Sequence, residues 1–464
     1  MNGFLGCQNE KNIGLFTDLY ELTMCASYFD NEKNRLATFD LFIRRLPAGR
    51  GYFMLAGLEQ VIGYLESIRF NEEQINYLRS LEFDERFLEY LRNFKFTGDV
   101  YAVPEGTIVF PNEPLIRVTA PIIEAQLIET FLLNTVNLQT MIATKASRVV
   151  EASKGKSVVE FGLRREHGVD AGMKVARSSY IAGCQGSSNV LAGLAYGIPV
   201  FGTMAHSFIM SYEKEIDAFR AFAKTFPTKT TLLIDTYDDL AGSQKAIVVA
   251  KELEKRGFRL VGIRLDSGDL AETSKKVRKL LDAEGLNYVV IFASGDLDEY
   301  KITELLSKGA KIDAFGVGTK MGTSADYPYT DMIYKLCETM NENGEFSPIM
   351  KLSKDKNTLP GRKQIYRITD ENGDFVKDII ALASEQSQGE QLLKKVMENG
   401  KLTCVLPSLK EIRAIAASNL SHLPQKYKNL VDSPPYPVEL SRDLTDLIEV
   451  LRNRITQDQR SSAS

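Results

Sequence analysis

The sequence is poor in the residues that would mark it as a disulfide scaffold, a zinc protein or a polyanion binder. Its 464 residues hold five cysteines, Cys7, Cys25, Cys184, Cys337 and Cys404, an odd and scattered set with no C-x-x-C pair. That spacing argues against a disulfide framework and against a Cys-based zinc site. Neither sign of charge is in large excess. The 57 Lys+Arg against 61 Asp+Glu leave a formal net charge of −4, without the global basic field of a nucleic-acid binder. Met1 to Glu10 lacks a basic stretch followed by an apolar one, so the expectation is a cytoplasmic chain with no secretory signal. A membrane segment is also missing. Ser178–Tyr212 contains no Asp, Glu, Lys or Arg, but five glycines, Ser187, Ser188, Asn189 and Pro199 interrupt it. A spanning helix needs about 20 predominantly apolar residues. The stretch reads instead as a buried helix, a turn and a buried strand.

What is present is an ordinary globular composition, 44% hydrophobic and 25% charged, with length for two or three domains. β-branched and aromatic runs recur at Ser157–Phe161, Pro199–Gly202, Thr230–Ile234, Leu260–Leu265, Tyr288–Phe292 and Ile312–Phe315. Helical periodicity separates them, as in Asp238–Arg256, with Leu240, Ile247, Val248 and Leu253 as its apolar stripe, and in Leu270–Glu284. Alternating β and α elements imply a parallel sheet, and at least six units favour a (β/α)8-like barrel over an open sheet.

The flanks differ. Helices are expected at Phe16–Phe29, Gly57–Ser67, Asn71–Leu81 and Asp84–Arg92, followed by a small antiparallel element across GDVYAVPEGTIVFPNEPLIRV. Later come strands at Phe346–Leu352 and Gln364–Ile368, a helix at Glu385–Asn399 and a Pro-punctuated tail. The predicted domains are an N-terminal α/β domain over 1–139 and a barrel carrying the active site over 140–341. Residues 342–464 form a returning segment of the first domain plus a helical or irregular tail.

In a parallel α/β barrel, sites form at the C-terminal ends of the strands. Those ends read GLRREHG, GTMAHS, DTYD, RLDSGD, ASGD and GVGT. ASGD and GVGT suit either a phosphate approached by backbone N–H groups or a tight turn. Arg164 and Arg165 suit either phosphate oxygens or open solvent. RLDSGD suits either a diphosphate–cation and sugar-hydroxyl site or a helix cap at Asp266 or Ser267. His206, one of three histidines, is either structural or catalytic, and Asp235 at the next strand end could orient its second nitrogen. His167 is left unassigned, and His422 reads as a surface residue.

Taken together, FTDLYELTM, FGLRREHG, GTMAHSF, LLIDTYD, GIRLDSGDL, ASGDLDEYKI, FGVGT and LPGRKQIYR occur in the order found in the nicotinate phosphoribosyltransferase family. The chain resembles that family from about Leu15 to Leu440. The resemblance implies a type II phosphoribosyltransferase fold, an irregular α/β barrel plus an α/β domain built from the N-terminal part and a later returning segment. It implies that nicotinate attacks C1 of phosphoribosyl pyrophosphate, giving nicotinate mononucleotide and pyrophosphate for NAD salvage, with ATP hydrolysis driving the step. It further implies Mg²⁺, with ligands left unassigned, and a homodimer with shared active sites; neither nucleic acid nor membrane is a partner.

By the same resemblance, His206 matches a histidine transiently phosphorylated by ATP, and Asp235 its carboxylate partner. Phe161 and Tyr20 match aromatics that sandwich the pyridine ring, Tyr20 reaching across the dimer interface. Arg264 and Thr203 match residues that hold the nicotinate carboxylate. Arg164, Gly295 and Thr319 match phosphate contacts, and Asp266 a catalytic ribose or Mg²⁺ contact. The related nicotinamide enzyme looks similar around GSSNV but carries Asp at the position of Ser188. A carboxylate there would repel nicotinate, so Ser188 favours nicotinate. The competing readings are nicotinamide or quinolinate transfer and a non-catalytic metabolite-binding barrel. A barrel aldolase or isomerase would need a Schiff-base Lys or a Glu base, and no strand end offers an obvious one.

Overall fold

The structure, a computed structural model, describes residues 13–352 and 358–461. Cys7 and Met1–Glu10 lie outside them. The chain divides into two compact units, one of residues 1–141 and 329–464, the other of Ile142–Pro328. Among the described residues no helix is long and apolar enough to cross a membrane.

The discontinuous unit is built on a seven-stranded antiparallel sheet. Its order is Phe346–Pro348, Met332–Met340, Leu36–Ile43, Ile116–Pro121, Asp99–Ala102, Lys394–Glu398 and Lys401–Leu402. Strands from the later part of the chain flank the N-terminal ones, pairing Phe39 with Leu336 and Tyr101 with Lys395. The second chain crossing therefore falls before Met332–Met340, at Pro328/Tyr329, and not after Asn341. Helices Leu58–Ser67, Glu72–Ser80 and Glu85–Arg92 follow their sequence signals. Asn71 and Gln74 form a capping box, Asp84 caps through Arg86 N–H, and Phe87, Leu88 and Leu91 make one apolar stripe.

Two expectations here are corrected. Phe346–Leu352 is a strand only over Phe346–Pro348. Glu385–Asn399 is not a helix but two strands, Glu390–Gln391 and Lys394–Glu398. Its Glu, Gln, Leu, Lys and Met favour helix, yet the open edge of Asp99–Ala102 offers a ladder, and Val396 and Met397 are buried. The Gln364 side-chain amide bonds both the N–H and the C=O of Leu393 at 3.0 Å, as a neighbouring strand would.

The second unit carries six parallel strands: β1 (Ser157–Glu160), β2 (Gly186–Ser187), β3 (Thr231–Leu233), β4 (Gly262–Leu265), β5 (Val290–Ala293) and β6 (Ala314–Val317). Their order, β2-β1-β6-β5-β4-β3, pairs the last strand with the first. It is the order of a ring cut between β2 and β3. The (β/α)8-like barrel is therefore not seen: among the described residues there are six such strands and no closed sheet. At the seam, Pro199–Gly202 contributes a single bridge, Val200 to Ser187. Gly197, Pro199 and Gly202 deprive that segment of strand propensity. It is also not buried, since Val200 and Phe201 are 47% and 42% exposed.

Helix Asp239–Lys255 buries Ala246, Val249, Ala250 and Leu253, whereas Leu240 and Val248 are exposed. Of the expected stripe Leu253 is buried, and Gly242, Ala246 and Ala250 on the same buried face are small enough to let the helix lie close to the sheet. Gly242 marks the closest approach, where a Cβ would fall 2.0 Å from the Ile234 carbonyl oxygen.

One buried acid in the discontinuous unit yields a measurable consequence. Glu21, on helix Leu19–Asp30, is 0% exposed and accepts hydrogen bonds from Thr17 and, at 2.9 Å, from Thr130. Burial pushes its carboxyl up to about 7. The folded state then keeps a proton that the unfolded chain releases near pH 4.5. This contribution to stability is present below that pH and is lost as pH rises to about 7. We expect the wild-type Tm to fall by a few degrees over this window relative to Glu21→Gln. Parallel Tm profiles for the two proteins would contradict it.

Candidate active site

Because all six strands run parallel, their C-terminal ends share one edge of the sheet, and the loops that follow them supply the candidate residues. Phe161 and Arg164 follow β1, Ser188 follows β2, and Asp235 and Thr236 follow β3. Arg264 and Asp266 belong to the end of β4, Ser294 and Gly295 follow β5, and Thr319 follows β6. Thr203 and His206 come from the seam segment and the short helix His206–Met210.

Arg264 is the centre of this arrangement. Its Nε donates to Ser294 Oγ at 2.8 Å and its Nη2 to Asp266 Oδ1 at 2.7 Å. Its Nη1 makes longer contacts, 3.3 Å each, with Thr203 Oγ1 and the Met204 carbonyl. The guanidinium carbon lies 5.9 Å from the centroid of the Phe161 ring. Phe161 is held by its own N–H on the Val317 carbonyl at 2.8 Å and by Phe292, 5.5 Å away between centroids. Gly316 makes room for it, since a Cβ there would sit 2.7 Å from the ring.

Asp266 is a second junction. Ser294 and Arg264 both donate to its Oδ1, and its backbone N–H donates to Asp235 Oδ2 at 2.8 Å. Burial pushes the Asp266 carboxyl up, but the Ser294 and Arg264 hydrogen bonds, the Arg264 charge and His206 outweigh it. The group therefore sits below its ordinary range and is ionised at neutral pH. The helix cap lies elsewhere, on Asp269, which accepts from Ala271 and Glu272 N–H. Asp266 and Ser267 are thereby left to the strand end.

His206 is placed differently from expectation. Its Nδ1 pairs with Thr236 Oγ1 at 3.2 Å, and its Nε2 faces Asp266 Oδ2 at 3.8 Å. Asp235 does not orient it. Asp235 Oδ2 accepts instead from Asp266 N–H and, at 2.8 Å, from Ser267 Oγ, while its Oδ1 is buried without a hydrogen-bond partner.

The remaining candidates are distributed around this core. Ser188 is half-buried, with its N–H on the Glu160 carbonyl at 2.9 Å. Arg164 is exposed in the 3-10 turn Leu163–Arg165, and Arg165 reaches Thr319 Oγ1 at 3.3 Å. Tyr20 belongs to the other unit, where it is 48% exposed on helix Leu19–Asp30. His167 is exposed. His422 is half-buried, its Nδ1 2.9 Å from the Ser418 carbonyl oxygen. Sequence reasoning missed Ser294 and Thr236. Both stand inside quoted motifs, ASGD and DTYD, but neutral hydroxyls carry no signal until their partners are known. Among the described residues no group of three or more His, Cys, Asp and Glu gathers as a metal site.

Gly295 has φ +95°, and a Cβ there would fall 1.9 Å from the Asp266 carbonyl oxygen. Gly197 also has positive φ, +68°, but opens onto free space. Both Ala variants strain the backbone, so the crowding term separates them. We expect Gly295→Ala to lose about 1–3 kcal/mol more than Gly197→Ala in denaturant unfolding. Equal losses would show that the Asp266 contact costs nothing.

Three family models match in succession: the nicotinate phosphoribosyltransferase N-terminal domain over residues 15–137, the nicotinate phosphoribosyltransferase family over 156–401, and its C-terminal domain over 385–448. Nicotinate phosphoribosyltransferase pncB2 of Mycobacterium tuberculosis is 46% identical over 447 residues, covering 96% of this chain and 95% of its own. The Bacillus subtilis nicotinate phosphoribosyltransferase is 42% identical over 463 residues, covering 94% of each. The crystal structure of human nicotinic acid phosphoribosyltransferase superposes with a TM-score of 0.85 at 31% identity, covering 94% of this chain and 100% of that one. The chain belongs to the nicotinate phosphoribosyltransferase family.

Proposed function

We propose that this chain is an ATP-coupled nicotinate phosphoribosyltransferase of NAD salvage, acting in the cytoplasm. Nicotinate, phosphoribosyl pyrophosphate, ATP and water would give nicotinate mononucleotide, pyrophosphate, ADP and phosphate. The observation that carries this reading is the Arg264 clamp. Nε and Nη2 are committed to Ser294 and Asp266 by short bonds, whereas Nη1 holds Thr203 Oγ1 and the Met204 carbonyl only at 3.3 Å and can exchange these long contacts for a carboxylate. Phe161 lies against the same guanidinium and offers its ring to a pyridine.

In this reading the pyridine nitrogen attacks C1 of the ribose as the bond from C1 to the pyrophosphate oxygen breaks. The bonding electron pair leaves with pyrophosphate. Arg164 and the Gly295 and Thr319 loops hold the phosphates, and Arg164 opposes the charge growing on the leaving group. The ionised Asp266 serves the ribose hydroxyls or the metal. Mg²⁺ fits the donor set, because Asp235 Oδ1 is a buried hard oxygen without a hydrogen-bond partner. Asp235 and Asp266 would hold it together with substrate phosphates, and it would neutralise charge on the diphosphate.

ATP coupling is assigned to phosphorylation of His206. Its ring is half-exposed, and the Nδ1 contact with Thr236 leaves Nε2 toward the site. A phosphoryl group adds about −1.5 to −2 charges by analogy with other phosphorylated side chains, and Nε2 already faces the ionised Asp266. Phosphorylation would therefore shift affinity between substrates and products. A homodimer with shared sites, the partner subunit's Tyr20 closing the pyridine sandwich, is part of the proposal. Support comes from a run of exposed apolar side chains, Val190, Leu191, Leu194, Val200 and Phe201, beside the seam.

Incubation with ATP followed by mass spectrometry is expected to find acid-labile phosphate on His206, and His206→Ala is expected to lose the ATP stimulation. Nicotinate mononucleotide formation without such label would reject the coupling and leave the transferase reading intact. Assays with nicotinate, nicotinamide and quinolinate should give product with nicotinate. Ser188→Asp is expected to move the nicotinate-to-nicotinamide ratio of kcat/KM towards nicotinamide by about tenfold or more, the size of a 1.4 kcal/mol difference. An unchanged ratio would remove Ser188 from the specificity argument.

A further inference from the structure

Beneath the arginine turn lie two carboxyls that the proposed reaction does not use. Glu160, the last residue of β1, is 0% exposed. Its Oε1 accepts from Gly162 N–H and its Oε2 from Ser187 Oγ at 2.6 Å. Glu166 stands at the other end of the same turn, capping Leu163–Arg165, and both of its carboxyl oxygens are buried without a hydrogen-bond partner.

The space around Glu166 is cleared by glycines. A Cβ on Gly162 would lie 2.6 Å from Glu166 Oε1 and 3.0 Å from Glu160 Oε1. A Cβ on Gly322 would lie 2.8 Å from Glu166 Oε1, and one on Gly172 would lie 3.1 Å from its Oε2. Three elements therefore close on this side chain: the turn itself, helix Val169–Ile181 and helix Thr319–Gly322. From β1, Glu160 is the titratable group that faces it. Lys174 and Lys320, on those two helices, are paired with Asp170 at 2.7 Å and with Asp296 and Asp298 at 3.2 and 3.1 Å.

Among the described residues no cation acts on either carboxyl, and two carboxylates in one buried cradle then repel each other, whereas one shared proton turns the repulsion into a hydrogen bond. We propose that Glu166 is a positioning residue, a protonated carboxylic acid that donates to Glu160 and so pins the far end of the Arg164–Arg165 turn to the end of β1, with Gly322 of the Thr319 helix packed on the same side chain. Held in this way, the turn keeps Arg165 within reach of the Thr319 loop, which it bridges through Thr319 Oγ1 at 3.3 Å. In agreement with the geometry, burial and the neighbouring Glu160 push Glu166 up to about 9, and burial also raises Glu160. The proton is held at neutral pH and lost as pH rises past about 9, when the turn is released. The functional consequence rests on the reading that Arg164 and Thr319 contact phosphate.

The test compares Glu166→Gln, which keeps a neutral donor of the same shape, with Glu166→Ala, which keeps none. Deuterium uptake by peptides covering residues 162–168 is measured on the full unliganded chain and needs no turnover. At pH 7.5 the Gln variant is expected to match wild type and the Ala variant to exchange at least about tenfold faster, as loss of one buried hydrogen bond of about 1.4 kcal/mol allows. Equal uptake in all three, or a Gln variant as fast as Ala, overturns the proposal.

Should the Ala variant fail to fold, wild type and Gln suffice. Corrected for intrinsic exchange, uptake by wild type should rise between about pH 8 and 10 while Gln stays flat; a rise in both overturns the pin. In the kinetic arm, KM for phosphoribosyl pyrophosphate should rise at alkaline pH in wild type and less in Gln, with kcat little changed. If the exchange pattern appears but no variant, wild type included, transfers phosphoribose, the pin stands and the proposed function falls.

Discussion

The Arg264 guanidinium is the contact on which the strand-end arrangement depends. Three loops meet on it: Ser294 after β5, the Thr203–Met204 seam segment, and its own Asp266. Asp266 then passes the connection to the end of β3 through its backbone N–H on Asp235. A planar donor with five N–H groups at fixed angles sets the directions of its partners, where an ammonium's three donors rotate freely on a flexible stem. The parallel ladder makes this possible, because it delivers the ends of neighbouring strands to one edge. Arg264 and Phe292 are paired residues of adjacent strands, so Ser294, two residues beyond, comes within reach.

The sheet also explains where small residues had to be used. Gly295 admits the Asp266 carbonyl, Gly316 admits the Phe161 ring, and Gly242 admits the end of β3. The cradle of Gly162, Gly172 and Gly322 does the same for Glu166. Each missing side chain brings two functional loops closer than a Cβ would permit, which trades backbone entropy for proximity.

Much of this was legible in the sequence, and the failures have physical causes. β-branched runs located five of the six parallel strands, and the polar motifs after them supply the candidate residues that gather at one edge of the sheet. The ring closure was not legible, because whether Pro199–Gly202 becomes a strand depends on Gly and Pro placement against an edge. Asp238–Arg256 is the helix its periodicity predicts, and Leu253 of the expected stripe is buried, but Leu240 and Val248 face outward. Close packing at Gly242 instead selected Ala246 and Ala250. Glu385–Asn399 shows long-range pairing overriding local propensity. The Thr236 contact of His206 and the Glu160–Glu166 pair were illegible because each depends on where a side chain turns after its loop is built.

Unit two is inserted between Met141 and Tyr329 of unit one. The strand Leu36–Ile43 lies inside its sheet, yet one of its two neighbours, Met332–Met340, comes from beyond the insertion. A ribosome working at about 5–20 residues per second would leave that edge uncovered for roughly 15–60 s. An apolar strand with open N–H and C=O groups is a template for association with other chains. Ile116–Pro121 covers the opposite edge early, and Asp40 and Thr38 place polar atoms along the strand that waits. The order of synthesis, and not only the final fold, therefore bears on what this strand can carry.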